Sequence, residues 1–84
     1  MTLFLTLMTK GQLERFAGFI LHKYMPRSAS DARYDMACGN LDKKEKELGI
    51  MITDVATGVD PHDLDKILND TTQKLKEAYR FYSS

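Results

Sequence analysis

DPHDLDKILNDTTQKLKEAYRFY, residues 60–82, carries the most regular helix pattern in this 84-residue chain. Asp60 is a capping residue, Pro61 suits the first helical position and Asp63 puts negative charge at the positive end of the helix. Val59 and Leu64 stand where a hydrophobic staple forms. Leu64, Ile67, Leu68, Thr71, Leu75, Ala78, Tyr79 and Tyr82 then recur at i, i+3, i+4 and i+7, a stripe that must be covered by other parts of the chain. The spacing predicts a helix over 61–82.

Working outward, the other helices follow from the same signals. Thr9 and Gln12 make a capping box, with Met8 and Leu13 at the staple positions. Leu13, Phe16, Ala17, Ile20 and Tyr24 share one side, and Pro26 forces the preceding residue out of the α region. A first helix over 10–25 results. Ser28 with Asp31 caps a short helix over 29–38, on which Ala32 and Met36 share a side and which Gly39 closes. Asn40 offers the next cap, and Leu41, Leu48, Ile52 and Val55 form a stripe over 41–57. Gly49 falls inside that stripe, and an interior glycine costs about 1 kcal/mol against alanine, so a bend or break is expected there. No strand pair is visible. The fold class is all-α, a small bundle of three or four antiparallel helices with short connections.

Composition bounds the function. The chain is 43% hydrophobic and 29% charged, within the ordinary globular range, and its 12 basic and 12 acidic residues cancel. No bulk field draws it to nucleic acid or anionic lipid. The charge is uneven: residues 1–34 carry five basic and two acidic side chains, 35–70 four and nine, and 71–84 three and one. Cys38 is the single cysteine, which excludes an internal disulfide and fits a reducing compartment, the cytoplasm. It reads as a buried structural thiol. Met1–Met8 (MTLFLTLM) is apolar but about a third of a bilayer span, with no Lys or Arg ahead of it, so neither export nor a membrane span is expected. It is a short strand, an added turn or a frayed leader before a single helical domain over 9–84.

Catalytic and metal constellations are missing from the pattern. His22 and His62 have no second His or Cys three or four residues away, so no metal and no cofactor is expected. Asp31–Asp42 and Asp54–Asp65 lack the alternating oxygen ligands of a calcium loop. Cys38 with His22 is the one pairing that could build a nucleophile, and the carboxylate pairs Asp60/Asp63 and Asp42/Glu45 sit where helix starts want negative charge. Glycines are scattered, which rules out a phosphate loop. Asp54-Val55-Ala56, Gly58-Val59 and residues 64–69 (LDKILN) resemble pieces of a bacterial repressor helix-turn-helix. Ala56 and Gly58, however, are two apart where that turn needs about four, and Asp60, Asp63 and Asp65 would repel phosphates.

Three apolar residues fall outside the stripes. Phe19 lies beside Gln12 and Lys23 on the first helix, Ile50 lies opposite Leu41, Leu48 and Ile52, and Phe81 lies off the stripe that ends at Tyr82. Either the leader or another helix covers Phe19, a break at Gly49 turns Ile50 inward and Phe81 sits on a fraying end, or the three are contact residues for a partner. The reading adopted is a non-enzymatic protein-interaction module, a regulator, inhibitor or adaptor that docks by a helix face and self-associates. Phe19, Ile50 and Phe81 are its expected contacts, with Lys23 and Arg27 at the rim. A nucleic-acid-associated dimer using the basic ends is the alternative, and an enzyme or enzyme subunit around Cys38 and His22 the third.

Overall fold

The computed structural model describes residues 7–83 and places four helices among them: α1 (Lys10–Tyr24), α2 (Ala29–Ala37), α3 (Asn40–Val55) and α4 (Pro61–Ser83). The all-α expectation holds. The starts of α1, α2 and α4 are made by the chemistry the sequence announces. Gln12 N–H donates to Thr9 Oγ1 at 3.1 Å while Thr9 N–H donates to Gln12 Oε1 at 3.0 Å, a complete capping box. Asp31 N–H donates to Ser28 Oγ at 3.1 Å, and His62 N–H donates to Asp60 Oδ1 at 2.8 Å.

The third helix departs from expectation at its start, at Gly49 and at its end. It starts one residue earlier because Gly39, at φ 74°, takes the capping position without a side-chain bond; that left-handed geometry is cheap only for glycine. Asn40 does not cap, since its amide Nδ2 donates instead to Asp35 Oδ1 at 3.2 Å. The helix then runs unbroken through Gly49 and stops at Val55, two residues short of the expected end. The physical reason is burial on both sides of the glycine: Leu48 and Ile52 are both sealed in the core, and a gain of roughly 1.5–3 kcal/mol for each outweighs the propensity cost. Among the described residues, a Cβ built on Gly49 meets nothing within 4 Å. Gly49→Ala is therefore expected to raise stability in dilute solution by up to about 1 kcal/mol, read as a higher urea midpoint at unchanged slope.

The helices are not all antiparallel. Tyr24 Oη, at the end of α1, donates to Glu47 Oε2 at 3.2 Å and to Met51 Sδ at 3.3 Å, while Met8 N–H donates to Thr57 O at 2.7 Å, so α1 and α3 run in opposite directions. Glu45 faces Lys76 at 3.9 Å, and α3 and α4 are likewise opposed. Lys10 reaches Asp63 at 3.9 Å across the first turns of α1 and α4, and these two are parallel. Three long rods that alternate in direction must bring the first and third into parallel contact. The short α2 bridges the end of α1 to the start of α3 and packs on α4.

The core is Leu13, Ala17, Ile20 and Leu21 of α1, Ala32 of α2, Leu48 and Ile52 of α3, and Ile67, Leu75 and Tyr79 of α4. Thr71, also buried in the α4 stripe, satisfies its hydroxyl by donating to Ile67 O at 2.7 Å. The expected staple partners Met8, Val59 and Leu64 are half-buried against this core. Residues 1–6 of the apolar leader lie outside the described residues. Leu7 is exposed, and its side chain lies over Gly58, where a Cβ would come within 2.9 Å of it at a φ of +87°. No helix among the described residues is long and apolar enough to cross a membrane.

Candidate interaction surface and polar clasp

Phe19 projects from α1 with 63% of its surface exposed, so neither the described part of the leader nor another helix covers it. One turn later Lys23 sets its Nζ 4.7 Å from the centre of the Phe19 ring, a cation–π contact that holds the charge over the aromatic face. His22 and Lys23 end α1, where the carbonyl end of the helix favours positive charge. The chain then turns through Met25 and the buried Pro26 to Arg27. Because α1 and α4 are parallel, this turn lies beside the last turns of α4. His22, Lys23, Arg27, Ala78, Phe81 and Tyr82 consequently border one depression of about 570 Å³. Phe81 is 77% exposed there and meets Tyr82 edge to face, with ring centres 5.7 Å apart.

Four of the five expected contact residues are thus gathered at one end of the molecule: Phe19 through Lys23, and Lys23, Arg27 and Phe81 around the depression. Ile50 is elsewhere. The unbroken α3 leaves it 61% exposed in a separate hollow between α3 and α4, bordered also by Glu45, which faces Lys76, and by Lys46, Gly49, Thr53, Asp54 and Leu68. The inward turn expected from a break at Gly49 does not occur.

On its other side, the Lys23–Arg27 rim borders a second depression, about 340 Å³, whose far wall contains Tyr34, Asp35 and Lys44. Behind that wall lies a polar cluster that sequence reasoning missed. Tyr79 is fully buried, and its hydroxyl donates to Asp35 Oδ2 at 2.6 Å. Lys44 Nζ donates to the same Asp35 oxygen at 2.8 Å and to Tyr79 Oη at 2.7 Å, and Asn40 Nδ2 donates to the other carboxylate oxygen, Asp35 Oδ1. Hydrogen bonds from the Lys44 ammonium, then from Tyr79, hold the Asp35 carboxyl down at about 2 against the opposing effect of burial. Burial pulls Lys44 down most strongly among single influences, yet its bonds to Asp35 and Tyr79 leave it above its ordinary value. Burial, and then Asp35, push the Tyr79 hydroxyl up. All three groups keep their ordinary neutral-pH form, so the cluster acts as a clasp joining α2, α3 and α4.

The one legible signal for it was Tyr79 itself: a tyrosine in the middle of a buried stripe needs a partner for its hydroxyl. Which partner was not written locally, because Asp35 and Lys44 are 44 and 35 residues away.

Cys38 corrects another expectation. It is exposed, because only Ala32 of the short α2 reaches the core and Cys38 stands at the outer end of that helix. Its side chain, one turn after Tyr34, pushes the Tyr34 hydroxyl upward. Among the described residues no group of three His, Cys, Asp or Glu side chains converges as a metal site would require. Set against protein-family models, characterised proteins and solved structures, the chain matches none.

Proposed function

We propose that this chain is a small cytoplasmic protein-interaction module, a regulator, inhibitor or adaptor, that docks on another protein through the end of the molecule bearing Phe19, Lys23, Arg27 and Phe81, and that it also self-associates. The observation that carries this reading is that two exposed phenylalanines, from helices far apart in sequence, border one cationic rim. Exposed aromatics beside arginine are the residues that dominate binding energy at protein interfaces. The rim charges call for a partner with an apolar anchor flanked by carboxylates. The unpaired Cys38 supports a reducing compartment.

Affinity capture from the native host tests it, with wild type, Phe19→Asp and Arg27→Glu as baits. Both replaced side chains are exposed, so the fold is retained. A protein held by the wild type and bound roughly thirty-fold more weakly by Phe19→Asp is the expected result. Equal capture by all three baits would overturn the assignment of the face. Retardation of duplex DNA in low salt, lost in Arg27→Glu, would replace the reading with nucleic-acid binding.

A further inference from the structure

We propose that the outer face of α3 docks a second copy of this chain by antiparallel, two-fold pairing centred on Ile50. The inference deepens the self-association part of the function proposed above by naming its face, and it places that face away from Phe19 and Phe81.

Three observations converge on α3. The first is Ile50, a large aliphatic side chain left exposed on an unbroken helix. The second is Gly49, an interior helix glycine that no contact among the described residues requires, since none of them lies within 4 Å of the place its Cβ would take. It lowers one wall of the hollow beside Ile50, between α3 and Leu68 of α4. An open hollow beside Ile50 leaves room for an aliphatic side chain from a facing helix.

The third observation selects the occupant. Lys46 and Asp54 stand four residues before and four residues after Ile50, on the same i±4 row, and both border the hollow. Neither makes an ion pair among the described residues. A two-fold axis across α3 at Ile50 reverses the order of the row on the second copy. Each Lys46 then faces the Asp54 of the other chain, and Ile50 meets Ile50. Packing of i±4 rows from both helices is the commonest helix-crossing class, and a two-fold interface must complement itself in this way. Parallel pairing would instead set like charges together at both ends. One helix pair flanked by Leu68 makes a small interface, so the dimer is expected to be weak and concentration-dependent, in the class below about 1,200 Å².

Sedimentation equilibrium over roughly 1 μM to 1 mM tests the pairing, with far-UV circular dichroism to confirm the fold. Wild type is expected to shift from monomer to dimer across that range. Lys46→Glu and Asp54→Lys should each weaken the dimer about ten-fold by turning two attractive pairs into two repulsive ones. The double variant Lys46→Glu/Asp54→Lys should restore it. Asp54→Lys adds a cation at the C-terminal end of α3, where helices favour one, so its folding is not in question. Phe19→Asp should leave the dimer intact. A strictly monomeric wild type, single variants that dimerise as wild type does, or a double variant no better than the singles would each overturn the proposal. Capture of a partner protein by Lys46→Glu as by the wild type would show the docking function standing whichever way the dimer test falls.

Discussion

Tyr79→Ala is expected to be among the most damaging single substitutions in this protein, lowering stability by about 3–5 kcal/mol. The side chain is fully buried and is the bulkiest of those sealed in the core. Its ring fills the space between the C-terminal half of α4 and the α2–α3 junction, and its hydroxyl closes the clasp with Asp35 and Lys44. Small domains have only about 5–15 kcal/mol in total, so the variant should sit near the edge of folding. Tyr79→Phe separates the two contributions. It keeps the ring, deletes the hydroxyl and leaves Asp35 paired with Lys44 at 2.8 Å, so a loss of about 1–2 kcal/mol is expected. Urea unfolding read by circular dichroism measures both. Equal losses in the two variants would mean that the ring packs nothing, and no loss in either would mean that the clasp is not closed.

Acid is expected to destabilise the protein through Asp35. The Asp35 carboxyl titrates at about 2 in the fold and near 3.9 in an unfolded chain. A depressed folded-state value gives stability that is complete above the unfolded value and disappears as pH falls toward the folded one. The expected loss between about pH 5 and pH 2 is on the order of 2 kcal/mol, an upper figure because the side chain keeps 16% of its surface in water. Lys44 and Tyr79 have the opposite sign. Both are raised in the fold, so their contributions persist through neutrality and fall away only as pH rises past about 10. The stability profile should be level between these limits. Asp35→Asn should lower the level part and flatten the acid limb, and the difference between the two curves isolates Asp35 from the other carboxylates. Parallel acid limbs in wild type and variant would remove Asp35 from this role.

Core substitutions act through packing, whereas Phe19, Arg27, Lys46 and Asp54 are exposed and should change association with little effect on the unfolding midpoint. A variant at one of these positions that loses both binding and stability would have been misassigned to the surface.

The division between what the chain alone shows and what its packing shows follows the reach of each interaction. Caps, staples and the apolar stripes depend on residues three to seven apart, and for that reason the four helices, their capping box and most of the core are legible in the sequence alone. The reading of Phe19, Ile50 and Phe81 as misfits was legible too, because it rests on the same periodicity. Three matters were not. Whether α3 breaks at Gly49 is a contest between a local cost and the burial of Leu48 and Ile52, and only their tertiary neighbours set the second quantity. Where Cys38 sits depends on how little of the short α2 reaches the core. The meeting of Asp35, Lys44 and Tyr79, and of the Lys23–Arg27 rim with Phe81, depends on α1 and α4 running parallel while α3 opposes both. By itself the sequence determined which side chains each helix had to bury; the tertiary structure decided which of the remainder came to lie together, because proximity between residues tens of positions apart is created by helix packing and written in no local spacing.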